Sequence, residues 1–551
     1  MNIINEEKPK ASLINGVSAA LALVLGPAIF YTIKINSLDS RHLLKSPENS
    51  ILSMQDLPQI AAIVVISFLL LRFFIYPVCN WLKLPPQKLD LTLPNTRGLA
   101  VFFLLCWFPF LLAFYPGTGM NDTAAMIKLG TSLVNQFPWT YVYFIHEGAK
   151  VSISLLGTAE PWLFICSLLQ MGLMAFGLSF VIHRIDKLSG NSYLSLLLSA
   201  FFAFAPIINN YAIAILRDPL YSLALLLMGI FLADHAGHKI WAKSEIKTFF
   251  WLCIGLMFFR NNGLYILFII TALLMRGRNN ESRKKIIFAF LAAAFIMCVP
   301  PKVISTIRHI PPMTQEKLAI PIQQIGRTAA LNGKITDSQQ QFLEQIYPLS
   351  DWGKSYNPGV VDSIKWNRDF NRTELALREK DFIAAWFHIG INNPDLYTEA
   401  WMLNTYWNWN VNFIMPDFSS QSRFGYAMTD ENRKQVSAGN NQVAGGNLPI
   451  PENIKDALIS WSYGYSNFLG AGFCLWMTLI LSGTLIIKGK SQYLWVVVPT
   501  LLNTGTLLLA TPFCGAFRYS FAYVLLLPFL LFLPFIQSEE QNKPNKNEGT
   551  K

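Results

Sequence analysis

What most constrains this chain is the recurrence of apolar runs long enough to enter a membrane. About twelve can be marked, at roughly 12–33, 57–79, 98–115, 161–182, 193–208, 219–234, 248–259, 264–275, 286–300, 462–487, 493–511 and 520–536. A hydrocarbon core about 30 Å thick takes about 20 helical residues, so some of these runs are full spans and others are short or re-entrant. Charged residues make up only 14% of the chain, against about 25% in a soluble domain. The expected fold is an all-α polytopic membrane protein with about twelve transmembrane segments.

The distribution of charge then sets the topology. A net charge of +11 invites a nucleic-acid partner, but Lys and Arg lie mainly in short loops between apolar runs, where they act as orientation signals. The cluster Arg276, Arg278, Arg283, Lys284 and Lys285 reads as a cytoplasmic loop, and no nucleic acid is expected. With the N-terminus inside, the loops at 80–97, 183–192, 235–247, 276–285 and 488–492 and the C-terminal tail all fall inside. Lys8 and Lys10 precede an apolar run too long for a signal peptide's core, so that run reads as a retained first helix.

Two polar stretches are then left outside, 116–160 and 301–461. The second is too long for a loop without structure. Thr336-Asp337-Ser338-Gln339 is a capping box, and Asn393-Pro394 starts another helix, which predicts a mainly helical outer domain. Residues 423–455 are Gly- and Asn-rich and read as a loop, and 537–551 as a disordered tail. The expected division is a two-helix extension over 1–97, a membrane core over 98–300, the outer domain over 301–461, and membrane helices over 462–536. The seven cysteines, Cys79, Cys106, Cys166, Cys253, Cys298, Cys474 and Cys514, lie in or beside apolar runs, so no disulfide framework is implied in the outer domain. No Cys/His pair has metal-ligand spacing.

Five ionic residues fall on the outer side of this topology. Asp122 follows Tyr115-Pro116-Gly117-Thr118-Gly119 and could take a proton from an acceptor hydroxyl; the competing reading is a helix N-cap. Arg217-Asp218 precedes Pro219. The arginine could grip a phosphate with Asp218 orienting it, or reach lipid headgroups while Asp218 caps the helix. Arg260, in Phe259-Arg260-Asn261-Asn262-Gly263, breaks an apolar run into halves of about 12 residues, which predicts two short helices meeting at a turn. Arg518, in Phe517-Arg518-Tyr519, is a third cationic or anchoring position counted with these. His146 and Glu147 read mainly as a solvated helix face, and Tyr397, Trp401, Tyr406, Trp407 and Trp409 as packing of the outer domain or as sugar-stacking faces.

The order of these features resembles the GT-C superfamily of integral-membrane glycosyltransferases. Tyr115-Pro116-Gly117, Asp122, Arg217-Asp218-Pro219-Leu220, Phe259-Arg260-Asn261-Asn262-Gly263, Ile320-Pro321-Ile322-Gln323-Gln324-Ile325, Tyr356-Asn357-Pro358 and Phe517-Arg518-Tyr519 resemble more closely still an uncharacterised family of multi-pass proteins from Gram-positive bacteria. Relatives often carry a His-Pro pair after the first-loop acid, where this chain has Gln136-Phe137-Pro138-Trp139.

The resemblance implies a bacterial plasma-membrane protein with both termini cytoplasmic. It would move a sugar from a polyprenyl-phosphate carrier to a cell-envelope acceptor, glycan or protein. Asp122 would be the catalytic residue, matching the first-loop carboxylate that serves as base or orients the acceptor, and Arg217, Asp218, Arg260 and Arg518 would serve the lipid phosphate. Asp122 and Asp218 could share a divalent cation if the fold brings them together. The alternatives are a transporter or flippase of lipid-linked saccharides, or a non-catalytic scaffold in envelope assembly. A transporter tends to show internal repeats and polar residues at the midplane, and no repeat is visible in this sequence.

Overall fold

The computed structural model describes residues 10–38, 51–87, 94–119, 121–276, 280–413, 450–463, 470–510 and 517–537. The expected loop at 423–455 lies outside the described residues as far as 449, as do the tail beyond Gln537, Arg278 and Cys514. Every regular element among the described residues is a helix. Three isolated backbone bridges stand apart from them, and one of these matters for the site.

Among the described residues six helices are long and apolar enough to cross a membrane: Ala11–Ser37, Met54–Trp81, Thr96–Ala113, Glu160–Ser189, Glu281–Ile307 and Ser491–Ala510. Ser192–Phe204 and Pro206–Ala212 add a seventh span if taken as one, bent by 61° at their break. Proline lacks a backbone donor and disfavours a helical residue before it, and Ala205 is accordingly extended. The expectation of about twelve spans is therefore corrected to six or seven.

The physical reason for the correction is that apolar side chains can be buried by protein as well as by lipid. Gly263–Leu274, Ala471–Ile487 and Phe517–Leu530 are apolar but short; a 12-residue helix reaches only about 18 Å. The Asp218–His235 helix is buried on nearly every side by its neighbours. At Gly229 the backbone of Val496 comes so close that a methyl group would collide with it. This helix is the centre of the bundle, and its apolar surface faces other helices.

The break expected at Arg260 is present. One helix ends at Phe259, Arg260 is extended (φ −147°, ψ 136°), and the next helix starts at Gly263. The region between 314 and 405, expected to lie outside the membrane, is helical, with a core of its own that includes Ile322, Ile325, Leu343, Ile346, Trp352, Phe382 and Ile389. The capping box at Thr336 forms, with Thr336 Oγ1 and the Gln339 side chain satisfying each other's backbone N–H. Pro394 lies in the first turn of the helix it was expected to start. Inside this region Arg327 Nε donates to Glu399 Oε2 at 3.1 Å, both residues being fully buried. Glu399 also accepts from the backbone N–H of Ile51 and Leu52 (2.6 and 2.9 Å), which ties the 314–405 helices to the N-terminal pair.

Candidate functional site

The site is built where the chain repeatedly leaves one helix and enters another. The first such place is the segment after the Thr96–Ala113 helix. Thr118 forms a short parallel bridge with the 213–215 strand-like turn: Thr118 N donates to Ile213 O (3.3 Å) and Ile215 N to Thr118 O (2.8 Å). Thr118 Oγ1 donates to Asn210 O at 3.2 Å, Thr123 Oγ1 to Ile215 O at 2.6 Å, and Ser167 Oγ to Ile213 O at 3.0 Å. Ala212 to Leu216 are buried, so these bonds satisfy backbone groups that water cannot reach. Gly117 makes the approach possible. Its φ is +137°, and an added Cβ would strike Ser167 Oγ and the Ile213 carbonyl.

This pairing brings the start of the Asn121–Leu129 helix beside the start of the Asp218–His235 helix. Asp122 Oδ2 lies 3.3 Å from Arg217 Nη2 and accepts a 2.8 Å hydrogen bond from Arg518 Nη1. Arg260 Nε is ion-paired with Asp218 Oδ1 at 3.3 Å. The two ion-paired groups meet at Tyr519: its hydroxyl accepts from Arg518 Nη2 at 3.2 Å, and Arg260 lies over its ring at 4.3 Å. Arg217 lies over Phe137 at 4.1 Å. All five residues singled out from the sequence thus join one constellation, drawn from four separate breaks in the helical chain.

The electrostatics of that constellation are one-sided. Three guanidiniums face two carboxylates, leaving an excess positive charge. Burial alone would raise the Asp122 carboxyl, but Arg518, then Arg217 and Arg260, outweigh it and hold the group below its ordinary value. Arg217 is 6% exposed and Asp218 is 1% exposed. Among the described residues, Arg217 Nη1, Arg260 Nη1 and both Asp218 oxygens are buried without a hydrogen-bond partner. Each such group costs about 1–3 kcal/mol or more when charged, so the arrangement is dear as structure alone and well suited to an anion with several oxygens.

The competing readings of individual positions can be set against the same geometry. Asp122 is inside the first turn of its helix and paired to arginines, which replaces the N-cap reading. Arg217 is turned inward onto Phe137 and Asp122, away from the lipid-headgroup role. His146 Nδ1 contacts Ile127 O at 3.0 Å, its ring packed under Gly130, while exposed Glu147 pairs with Lys150 at 3.5 Å. Tyr397 is buried in the core of the 314–405 region, while Tyr406 and Trp407 are buried against the bundle and Trp401 Nε1 donates to Leu508 O at 2.8 Å, so these aromatics serve packing.

A cation shared by Asp122 and Asp218 would meet three guanidiniums, which makes an anion the better match. Among the described residues no group of three or more His, Cys, Asp or Glu side chains could hold a metal ion. Sequence reasoning missed Phe137 and Tyr519 as platforms for the arginines, since aromatic residues flanking membrane helices have an ordinary interfacial role.

The chain belongs to DUF6020, a family of unknown function, which it matches over residues 128–548. Arg217, Asp218, Arg260 and Arg518 lie within the matched span and Asp122 lies just before it. No curated protein and no solved structure matches the chain.

Proposed function

We propose that the chain is a GT-C-type glycosyltransferase that moves a sugar from a polyprenyl-phosphate carrier to an envelope acceptor outside a bacterial plasma membrane. The observation that carries this reading is the pair of buried, unpartnered guanidinium nitrogens, Arg217 Nη1 and Arg260 Nη1, beside a carboxylate that is itself held by arginines. Planar arginines suit the oxygens of a phosphate, and a low-dielectric setting strengthens their hold on charge that develops as the phosphate departs.

The reaction has a simple balance. The acceptor oxygen attacks the anomeric carbon, and the bond from that carbon to the phosphate oxygen breaks. The electron pair leaves with the polyprenyl phosphate, held by Arg217, Arg260 and Arg518. The acceptor's hydroxyl proton passes to Asp122. With its carboxyl held low, Asp122 is a weak base at rest. A phosphate that engages Arg518 and Arg217 competes with Asp122 for them, and the released carboxylate regains basicity where the acceptor arrives. Both termini are placed on the cytoplasmic side in this reading.

The test is incubation of purified protein with labelled polyprenyl-phosphate sugars and cell-wall acceptors, comparing wild type with Asp122→Asn. Transfer by wild type, lost in the variant while carrier binding persists, is the expected result. Carrier binding with no transfer by wild type would overturn the enzyme in favour of a flippase of the same lipid.

A further inference from the structure

A second polar cluster lies beside the arginine site and comes from the outer helices. After the Glu281–Ile307 helix the chain runs back along the first outer loop. Ser305 Oγ donates to Asn135 Oδ1 (2.6 Å), and Asn135 Nδ2 donates to Ile310 O (3.2 Å) and Pro311 O (2.9 Å). Met313 then packs on the apolar cluster that includes Met126, Leu133 and Phe137. The short Thr314–Lys317 helix is thereby fixed against the loop that carries Asp122.

Lys365, 1% exposed, is held between Glu316 Oε2 (2.8 Å) and Asp362 Oδ1 (2.9 Å). Burial raises the Asp362 carboxyl above its usual range; Lys365 opposes this, and the charges of Glu316 and Asp122 add to it. Met313, which precedes Gln315 and Glu316 in the chain, packs on the cluster that holds Phe137, the ring under Arg217, and this places the cluster near the arginine site. Besides Asp362 Oδ1, which faces the Lys365 ammonium, two polar atoms here are buried without a hydrogen-bond partner among the described residues, Glu316 Oε1 and Oε1 of its neighbour Gln315. The Gln315 side chain is 1% exposed, and its amide nitrogen is spent on Met313 Sδ at 3.2 Å. Both unfilled atoms are acceptors, and two carboxylates against one ammonium leave an excess negative charge. The cluster is opposite in sign to the arginine site and offers acceptors where that site offers donors.

We propose that Glu316, Gln315 and Asp362 form a second subsite that binds the amino group of an amine-bearing sugar while the arginines hold the phosphate. An ammonium supplies several donors from one atom and carries the charge that the cluster lacks. A sugar with only hydroxyls supplies donors without the charge, and an acetylated amine supplies one donor and adds bulk. This subsite rests on the reading of the arginine cluster as the phosphate site.

The experiment titrates glucosamine, N-acetylglucosamine and glucose into full-length protein in nanodiscs, read by saturation-transfer NMR. Binding of a short-chain polyprenyl phosphate is measured on the same preparation. Glucosamine is expected to bind about tenfold or more tightly than the other two sugars, since a charge-assisted hydrogen bond is at stake. Glu316→Gln is expected to shrink that preference to about twofold, with polyprenyl-phosphate binding unchanged. Gln315→Leu is a second variant, and the wild-type ranking needs neither to fold. Equal binding of the three sugars, or none by any, overturns the subsite, and retained polyprenyl-phosphate binding then leaves the arginine reading standing. An amine preference without polyprenyl-phosphate binding supports the subsite and overturns the phosphate reading.

Discussion

Asp122 carries two guanidiniums on its carboxylate, and this sets how the fold answers to acid. Its carboxyl lies below the usual range in the folded chain. A depressed carboxylate contributes stability above its unfolded pKa of about 3.9, and that contribution is lost as pH falls through the folded value. Wild type should therefore melt above Asp122→Asn by a constant margin from about pH 7 to about pH 5, with the margin closing below about pH 4. Thermal unfolding across that range checks it; a margin that widens toward acid would show that the ion pairs do not hold Asp122 ionised. Asp122, Arg217, Asp218, Arg260 and Arg518 were legible in the sequence because an ionic group at the edge of an apolar run is costly to keep. Lys365, Glu316 and Asp362 were not. Lysines and acids are common in a polar region, and only the fold shows that these three are buried together.

At the scale of elements, the segment from Tyr115 to Thr123 is what sets Asp122 against Arg217. Gly117 combines a φ of +137° with a path that leaves no room for a side chain. Gly117→Ala removes no charge, yet the segment must shift to relieve the contact with Ser167 and Ile213. We expect polyprenyl-phosphate binding to fall about tenfold, because displacing a charge-assisted contact costs about 1.5–3 kcal/mol. Unchanged binding would mean that this segment does not position the acid. Local chemistry made several elements readable in advance. The capping box at Thr336, the proline in the first turn at Pro394 and the break at Arg260 each follow from one or two residues. The number of spans did not, since an apolar run reads as a candidate span whether its surface is exposed, as over Met54–Trp81, or covered by other helices, as over Asp218–His235.

At the scale of the whole molecule, function is placed where helices stop. The central helix brings Arg217 and Asp218, the broken pair brings Arg260, and the turn before Phe521 brings Arg518. The 314–405 helices are held to the N-terminal pair through Glu399, and the segment that leads into them is held to the 121–160 stretch through Asn135. The sequence pattern alone could predict that these breaks share one side, but their mutual distances depend on how the bundle packs. The central claim is that the arginine constellation binds a lipid-linked phosphate. Its most direct test is equilibrium binding of a short-chain polyprenyl phosphate to the protein in nanodiscs, for wild type, Arg217→Gln and Arg260→Gln. Saturable binding that weakens about tenfold or more in each variant is the expected result; affinity equal in all three proteins would contradict it.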